Sequence, residues 1–142
     1  DETLDLCVFK LKKNSVEVKL KRLTNLESIF SKSTAISQIL INLINNSIDA
    51  IENLEDKWIK IILEETDRDL LISIQDSGKG ICSEVAAEMM NPFYTTKERG
   101  KGTGVGLSLC RHLAEKLEGE LYYNEYLSHT TFTLRLPLVN RL

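Results

Sequence analysis

Apolar residues recur along this chain with two different periods, and the switches between them outline a fold. Leu4, Cys7, Val8 and Leu11 fall at helical spacing, so a short amphipathic helix is expected to open the chain and end near Lys13 and Asn14. Val16, Val18 and Leu20 then alternate with Glu17, Lys19 and Lys21, the period of a half-buried strand. The apolar piece from Leu26 to Phe30 is too short to assign and fits an edge strand. Ser33 or Thr34 is placed as the N-cap of a long helix reaching about Leu54. Its apolar face is Ile36, Ile39, Leu40, Leu43, Ile44, Ala50 and Ile51.

Two β-branched or apolar runs follow, Trp58 to Glu64 and Leu70 to Gln75. The charged turn Glu65 to Asp69 between them predicts an antiparallel hairpin. Ser83 caps a short helix to about Met90. From Asn91 to Gly106 there are five glycines or prolines and no apolar period, which reads as a loop. The helical period returns from Val105 to Leu117 through Leu109, Leu113 and Leu117, with Gly119 as the expected C-cap. Glu120 to Asn124 and Thr130 to Leu136 form a second hairpin, closed by Pro137. Helices and strand pairs in this order predict an α+β fold. It would be a two-layer sandwich, with helices on one face of a mixed, mostly antiparallel sheet.

Length and composition change this picture little. The 142 residues suit one domain spanning 1–142, 42% hydrophobic and 27% charged. The net charge of -3 gives no general attraction to nucleic acid. No apolar run approaches the ~20 residues of a bilayer span, because Asn42, Asn45 and Asn46 break the longest one. No basic-then-apolar start marks a secretory signal, so a cytoplasmic location without membrane contact is expected. Cys7, Cys82 and Cys110 have no metal-ligand spacing and are read as reduced thiols.

Four features carry candidate chemistry. On the long helix, Asn42, Asn46 and Asp49 lie four and three residues apart, hence on one face. Such a polar stripe is either a solvated face or a set of oxygen donors for a hard cation such as Mg²⁺. Asp76-Ser77-Gly78-Lys79-Gly80 directly follows a strand. It is either a tight turn or a carboxylate placed to accept from an exocyclic amine, with glycines letting the backbone approach a flat ring. In Asn91 to Lys97, Phe93 can anchor a loop while Thr95, Thr96 and Lys97 face phosphates. Gly100 to Leu107 places glycines at every second position and runs into a helix. Consecutive backbone N–H groups beside a helix N-terminus make an anion cradle; a linker is the plain alternative. The spacing matches neither a dinucleotide fingerprint nor a Walker A loop.

Taken together, these segments resemble sensor histidine kinases. Asn42 to Ala50 looks like the family's N box and Asp76 to Gly80 its first glycine box. Asn91 to Lys97 looks like the F box and Gly102 to Leu107 the second glycine box, all in the family's order. The resemblance covers nearly the whole chain and implies the Bergerat ATP-binding fold shared with DNA gyrase and MutL. It implies that Asn46 holds Mg²⁺ bridging the phosphates, with Asn42 in support. Asp76 would take the adenine amino group, and Gly78 and Gly80 would shape its pocket. Residues from Ile81 to Lys101 would form a lid, with Lys97, Arg99 or Lys101 on the phosphates. Gly102, Gly104 and Gly106 would wrap the phosphates. Asp49, Ala50, Ile81, Phe93, Thr95, Thr96, Thr103, Val105 and Leu107 complete the implied ATP contacts, and Asn42, Asn46 and Lys97 the catalytic set.

The related ATPases usually carry a Glu four residues before the Mg²⁺ asparagine, as general base for water; here Asn42 stands there and has no useful basicity. The resemblance therefore favours a kinase, passing phosphate from ATP to a histidine on a dimerisation domain and onward to a response regulator, in a homodimeric parent protein. An ATPase or serine kinase of the same superfamily, or a nucleotide-binding module without activity, are the alternatives. The chain departs from the family pattern in three places. Ser47 stands where Ala is usual, Glu118 where a second Gly is common, and Ser128-His129 where Gly usually precedes Thr130-Thr131. Glu118 and His129 are expected in surface turns away from the nucleotide. Neither His112 nor His129 has the acidic neighbour and long-helix setting of a phospho-acceptor. The chain is thus expected to be an excised domain that does not phosphorylate itself.

Overall fold

In the computed structural model, residues 17–22, 34–81, 84–85, 106–124 and 127–137 are described. The elements run β1 (Glu17–Arg22), α1 (Thr34–Ala50), β2 (Trp58–Glu65), β3 (Asp69–Asp76), α2 (Gly106–Lys116), β4 (Glu120–Tyr123) and β5 (Thr131–Pro137). The strands form one sheet in the order β1-β2-β3-β5-β4. Strand β1 runs parallel to β2, and every other neighbour is antiparallel, so the sheet is mixed as the pattern predicts. The opening helix, the piece from Leu26 to Phe30, the N-cap at Ser33 and most of the Ser83 helix lie outside the described residues.

Alternation decides which face is covered. Ile61 and Leu63 of β2 pair with Ile74 and Ile72 of β3, Ile59 of β2 pairs with Asp76, and Leu70, Ile72 and Ile74 of β3 pair with Leu136, Leu134 and Phe132 of β5. The apolar residues among these form one buried cluster with Ile39, Leu40, Leu43, Ile44 and Ile48 of α1 and with Cys110 and Ala114 of α2. Both helices therefore cover the same sheet face, the two-layer arrangement expected. The opposite face is polar. Ser73 and Thr133 share a 2.9 Å hydroxyl bond, and Thr133 donates to Asn124 at 2.8 Å. Gln75 donates to Thr131 at 2.9 Å. Among the described residues, no helix is long and apolar enough to cross a membrane.

Several local expectations need correction. Helix α1 stops at Ala50 rather than Leu54, and the chain continues in a turn where Leu54 N–H bonds Ile51 C=O at 3.0 Å. Ala50 is exposed, whereas Ser47 and Ile48 fill the buried face. In α2 the buried line is Cys110 and Ala114; Leu109 is 37% exposed and Leu113 and Leu117 are half-buried. Small side chains at the contact let two helices approach closely. The end of α2 also differs. Gly119 N–H bonds Ala114 C=O at 2.8 Å and Glu118 N–H bonds Glu115 C=O at 3.0 Å, the bond pair of a Schellman cap. The left-handed residue in it is Glu118, with φ 60°, not Gly119. Gly119 is needed for another reason: a Cβ there would sit 2.2 Å from the Arg135 carbonyl oxygen.

Candidate nucleotide site

Strand β3 delivers Asp76 to the core face at the sheet's end, where its residue is only 2% exposed. Burial raises its carboxyl above the ordinary 3.8, against the opposing pull of the Gly78 N–H, the Ser47 hydroxyl and the His129 charge. Gly78 N–H donates to Asp76 Oδ1 at 2.8 Å. The turn has no room for a side chain at Gly78: a Cβ would lie 2.7 Å from Asp76 Oδ1 and 3.0 Å from Thr130 Oγ1. Gly80 takes φ 94°, a conformation that L side chains rarely adopt.

The second hairpin braces this loop from the side. Thr130 N–H donates to Gly78 C=O at 3.2 Å, and Gly80 N–H donates to Thr130 Oγ1 at 3.1 Å. Ile81 N–H donates to the Tyr123 hydroxyl at 2.7 Å. His129 Nδ1 lies 3.1 Å from the Gly78 carbonyl oxygen. On the other flank, Ser77 N–H bonds Trp58 C=O at 3.1 Å, and Trp58 N–H bonds Ser77 Oγ at 3.3 Å. The result is a carboxylate held rigidly, with Gly78 and Ser47 occupying two of its roughly four lone-pair sites.

The polar stripe of α1 meets the start of α2. Asn46 Nδ2 lies 4.0 Å from where a Cβ on Gly106 would stand. One turn back, Asn42 lies beside the Cys110 thiol, which burial pushes up to about 11 and which donates to the Ile39 carbonyl at 3.8 Å. Positions 42 and 46 thus face positions 110 and 106, the pattern of two antiparallel helices packed side by side. Asp49 is exposed at the end of α1, and Ile81 and Leu107 are half-buried against the core.

Three of the four sequence features are therefore brought together at least in part. Ser47 ties α1 to Asp76, and Gly106, the last glycine of the cradle, sits beside Asn46. Phe93, Thr95, Thr96, Lys97, Arg99, Lys101, Gly102, Thr103, Gly104 and Val105 lie outside the described residues. Sequence reasoning missed Ser47, Tyr123, Thr130 and His129. Ser47 carries a usable signal, a hydroxyl on the buried stripe next to Asn46; the hairpin residues act across a sheet and leave no local one. His129, expected in a surface turn, is half-buried and its Nδ1 lies 3.1 Å from the Gly78 carbonyl oxygen.

Comparison with known proteins agrees with this geometry. Residues 31–140 match the family described as "Histidine kinase-, DNA gyrase B-, and HSP90-like ATPase". The chain is 29% identical over 138 residues to sporulation kinase E of Bacillus subtilis, covering 96% of this chain and 18% of that protein. It is 33% identical over 128 residues to the sensor histidine kinase ZraS of Escherichia coli, covering 88% of this chain and 27% of that protein. It therefore corresponds to about a fifth to a quarter of the length of these relatives. Among solved structures, the catalytic domain of histidine kinase ThkA superposes with a TM-score of 0.78 at 29% identity, covering 96% and 88% of the two chains. With the fold, the site loop and the match over 31–140 in agreement, the chain belongs to the histidine kinase-, gyrase B- and HSP90-like ATPase family and is homologous to the catalytic domains of sensor histidine kinases.

Proposed function

We propose that the chain binds ATP with Mg²⁺ and presents the γ-phosphoryl group to a histidine on a dimerisation domain, for onward passage to a response-regulator aspartate. The observation that carries this reading is the buried Asp76 carboxylate, fixed by Gly78 and tied to the nucleotide helix through Ser47. A buried acceptor at a strand end, beside a backbone stripped of side chains, suits a flat base with an exocyclic amine. Gly78 and Gly80 leave the ring room to approach.

Asn46 faces the first turn of α2, where backbone N–H groups and the helix dipole favour phosphate. No cluster of three His, Cys, Asp or Glu exists among the described residues. One amide oxygen cannot hold a divalent ion alone, but Mg²⁺ keeps several waters and binds through substrate phosphates. The donor set thus fits a metal carried in with the nucleotide, held by Asn46 and neutralising phosphate charge. Lys97, with Arg99 or Lys101, is assigned to the phosphates, and Gly102 and Gly104 to their wrapping.

Transfer then rests on positioning, with the acceptor imidazole as its own nucleophile. Asn42 supports a kinase over an ATPase: an amide has no useful basicity and offers no base for water. Of the chain's own histidines, His112 is exposed on α2 and His129 is bonded to Gly78, so the acceptor is assigned to the dimerisation domain of a homodimeric parent. The relative ThkA has been crystallised with its response regulator TrrA, at 26% identity and a TM-score of 0.73, which agrees with the onward step.

The test is nucleotide titration and phosphotransfer to a supplied dimerisation domain, comparing wild type with Asn46→Ala. Mg²⁺-dependent ATP binding or transfer should fall by at least about tenfold while the protein stays folded. Unchanged transfer in a folded Asn46→Ala protein would remove Asn46 as the metal contact.

A further inference from the structure

We infer that His129 is a positioning residue for adenine recognition: it clamps the Gly78 carbonyl and so holds the Asp76–Gly80 loop in the shape that presents the carboxylate to a base. This deepens the ATP-binding reading above and rests on it.

The bond itself assigns the proton. His129 Nδ1 lies 3.1 Å from the Gly78 carbonyl oxygen. A carbonyl can only accept, so Nδ1 carries the hydrogen and donates. The same oxygen accepts Thr130 N–H at 3.2 Å, which occupies both of its lone pairs. At its other end, Gly78 donates its N–H to Asp76 Oδ1 at 2.8 Å. Gly78 is thus gripped on both sides, at the residue where a Cβ would strike the carboxylate.

His129 is in turn held from outside. Its ring and that of Trp58 form a T-shaped pair, 4.9 Å between centroids with the planes 76° apart, a geometry that aromatic quadrupoles favour. Trp58 exchanges backbone and hydroxyl bonds with Ser77, the residue preceding Gly78. Ser77, Gly78, His129 and Trp58 close a ring of contacts around the outer side of the loop. Glycine at position 129 would leave Gly78 C=O to Thr130 alone and remove the ring that packs against Trp58. A loop freed on that side lets Gly78 shift, and with it the Oδ1 atom that Gly78 fixes. An amine-accepting carboxylate distinguishes adenine from guanine only while its direction is defined, so base selectivity should respond along with affinity.

Two variants separate the roles of the ring. His129→Phe keeps an aromatic ring against Trp58 but removes the donor. His129→Asn restores an N–H at the same number of bonds from Cα but removes the ring. ATP and GTP, each with Mg²⁺, would be titrated into wild type and both variants, with thermal melts in parallel. His129→Phe should bind ATP about fivefold more weakly, the weight of one lost hydrogen bond. Its GTP binding should be unchanged, so that the ATP preference narrows. His129→Asn should recover most of the affinity. A His129→Phe protein that matches wild type in ATP affinity and preference would reduce His129 to packing and overturn the inference, while the adenine pocket would stand. A wild-type protein without preference for ATP would overturn the pocket and the inference together. Should the Phe variant fail to fold, the His129→Gly and His129→Asn pair carries the same contrast, and equal ATP binding by those two would refute the clamp.

Discussion

Two turns lean on strand β5 and its approach, and they solve the same steric problem differently. In the loop from Asp76 to Gly80, glycine stands at both crowded or left-handed positions, Gly78 N–H bonds the buried carboxylate, and Thr130 and His129 brace the loop that carries it. In the turn that ends α2, glycine stands at the crowded position, Gly119, but the left-handed position is occupied by Glu118. The first turn is arranged around a buried charge that burdens the fold. The second only reverses the chain, and carries a strain with no site beside it. Conformational cost in this protein is therefore not by itself a mark of function; the marker is what the strained backbone is bonded to.

The largest effect should come from Gly119. A Cβ there would stand 2.2 Å from the Arg135 carbonyl oxygen and 2.9 Å from a Leu136 methyl, and backbone cannot swing aside as a side-chain tip can. Gly119→Ala should lose about 3 kcal/mol or more in chemical denaturation, as overpacking forces α2 and β4 away from β5. A loss under about 1 kcal/mol would mean that the turn is pliable, and the contrast with the site loop would dissolve.

Asp76→Asn tests the other turn by separating stability from binding. The amide keeps an oxygen for Gly78 N–H but presents no charge and a different edge to a base, so ATP preference should drop by roughly tenfold or more. Stability should move the other way. Burial, the largest cause, raises the Asp76 pKa, so the folded state keeps its proton to higher pH than the unfolded chain. The ionised carboxylate therefore costs stability increasingly as pH climbs above 3.8 through the folded value. At pH 7 the Asn variant should melt at or above the wild type, and this advantage should vanish as pH falls below about 4. A variant that melts well below wild type at pH 7 would show that the charge is a structural asset.

How much of this was legible in the chain depends on the range of the interaction. The alternation of Ile59, Ile61, Leu63 and of Leu70, Ile72, Ile74 dictated both strands and the covered face, because the period is local. Asp76, Gly78 and Gly80 were legible as a unit for the same reason. Helix ends were not: Leu54 continues an apolar spacing, yet the chain after Ala50 tightens into a turn that no single residue announces. The bracing of the loop by Thr130, Tyr123 and His129 crosses 42 to 51 residues of sequence. It depends on sheet register, which neither composition nor spacing encodes.

The smallest effect concerns Glu118, where the contrast between the turns is sharpest. Its φ of 60° places Cβ against the following carbonyl, a cost of about 1–2 kcal/mol for a residue other than glycine. Glycine would remove that cost but bring more backbone freedom to the unfolded chain, which returns part of the gain. Glu118→Gly should thus stabilise by about 1 kcal/mol in denaturant titrations. The Glu118 side chain is exposed, and glycine keeps the backbone N–H bond to Glu115, so no lost contact adds to that entropic cost. ATP affinity should not change, because this turn bonds to no residue of the loop around Asp76. If nucleotide binding weakened while stability rose, the end of α2 would have to be coupled to Gly106 through the helix, and strain at Glu118 would count as part of the site after all.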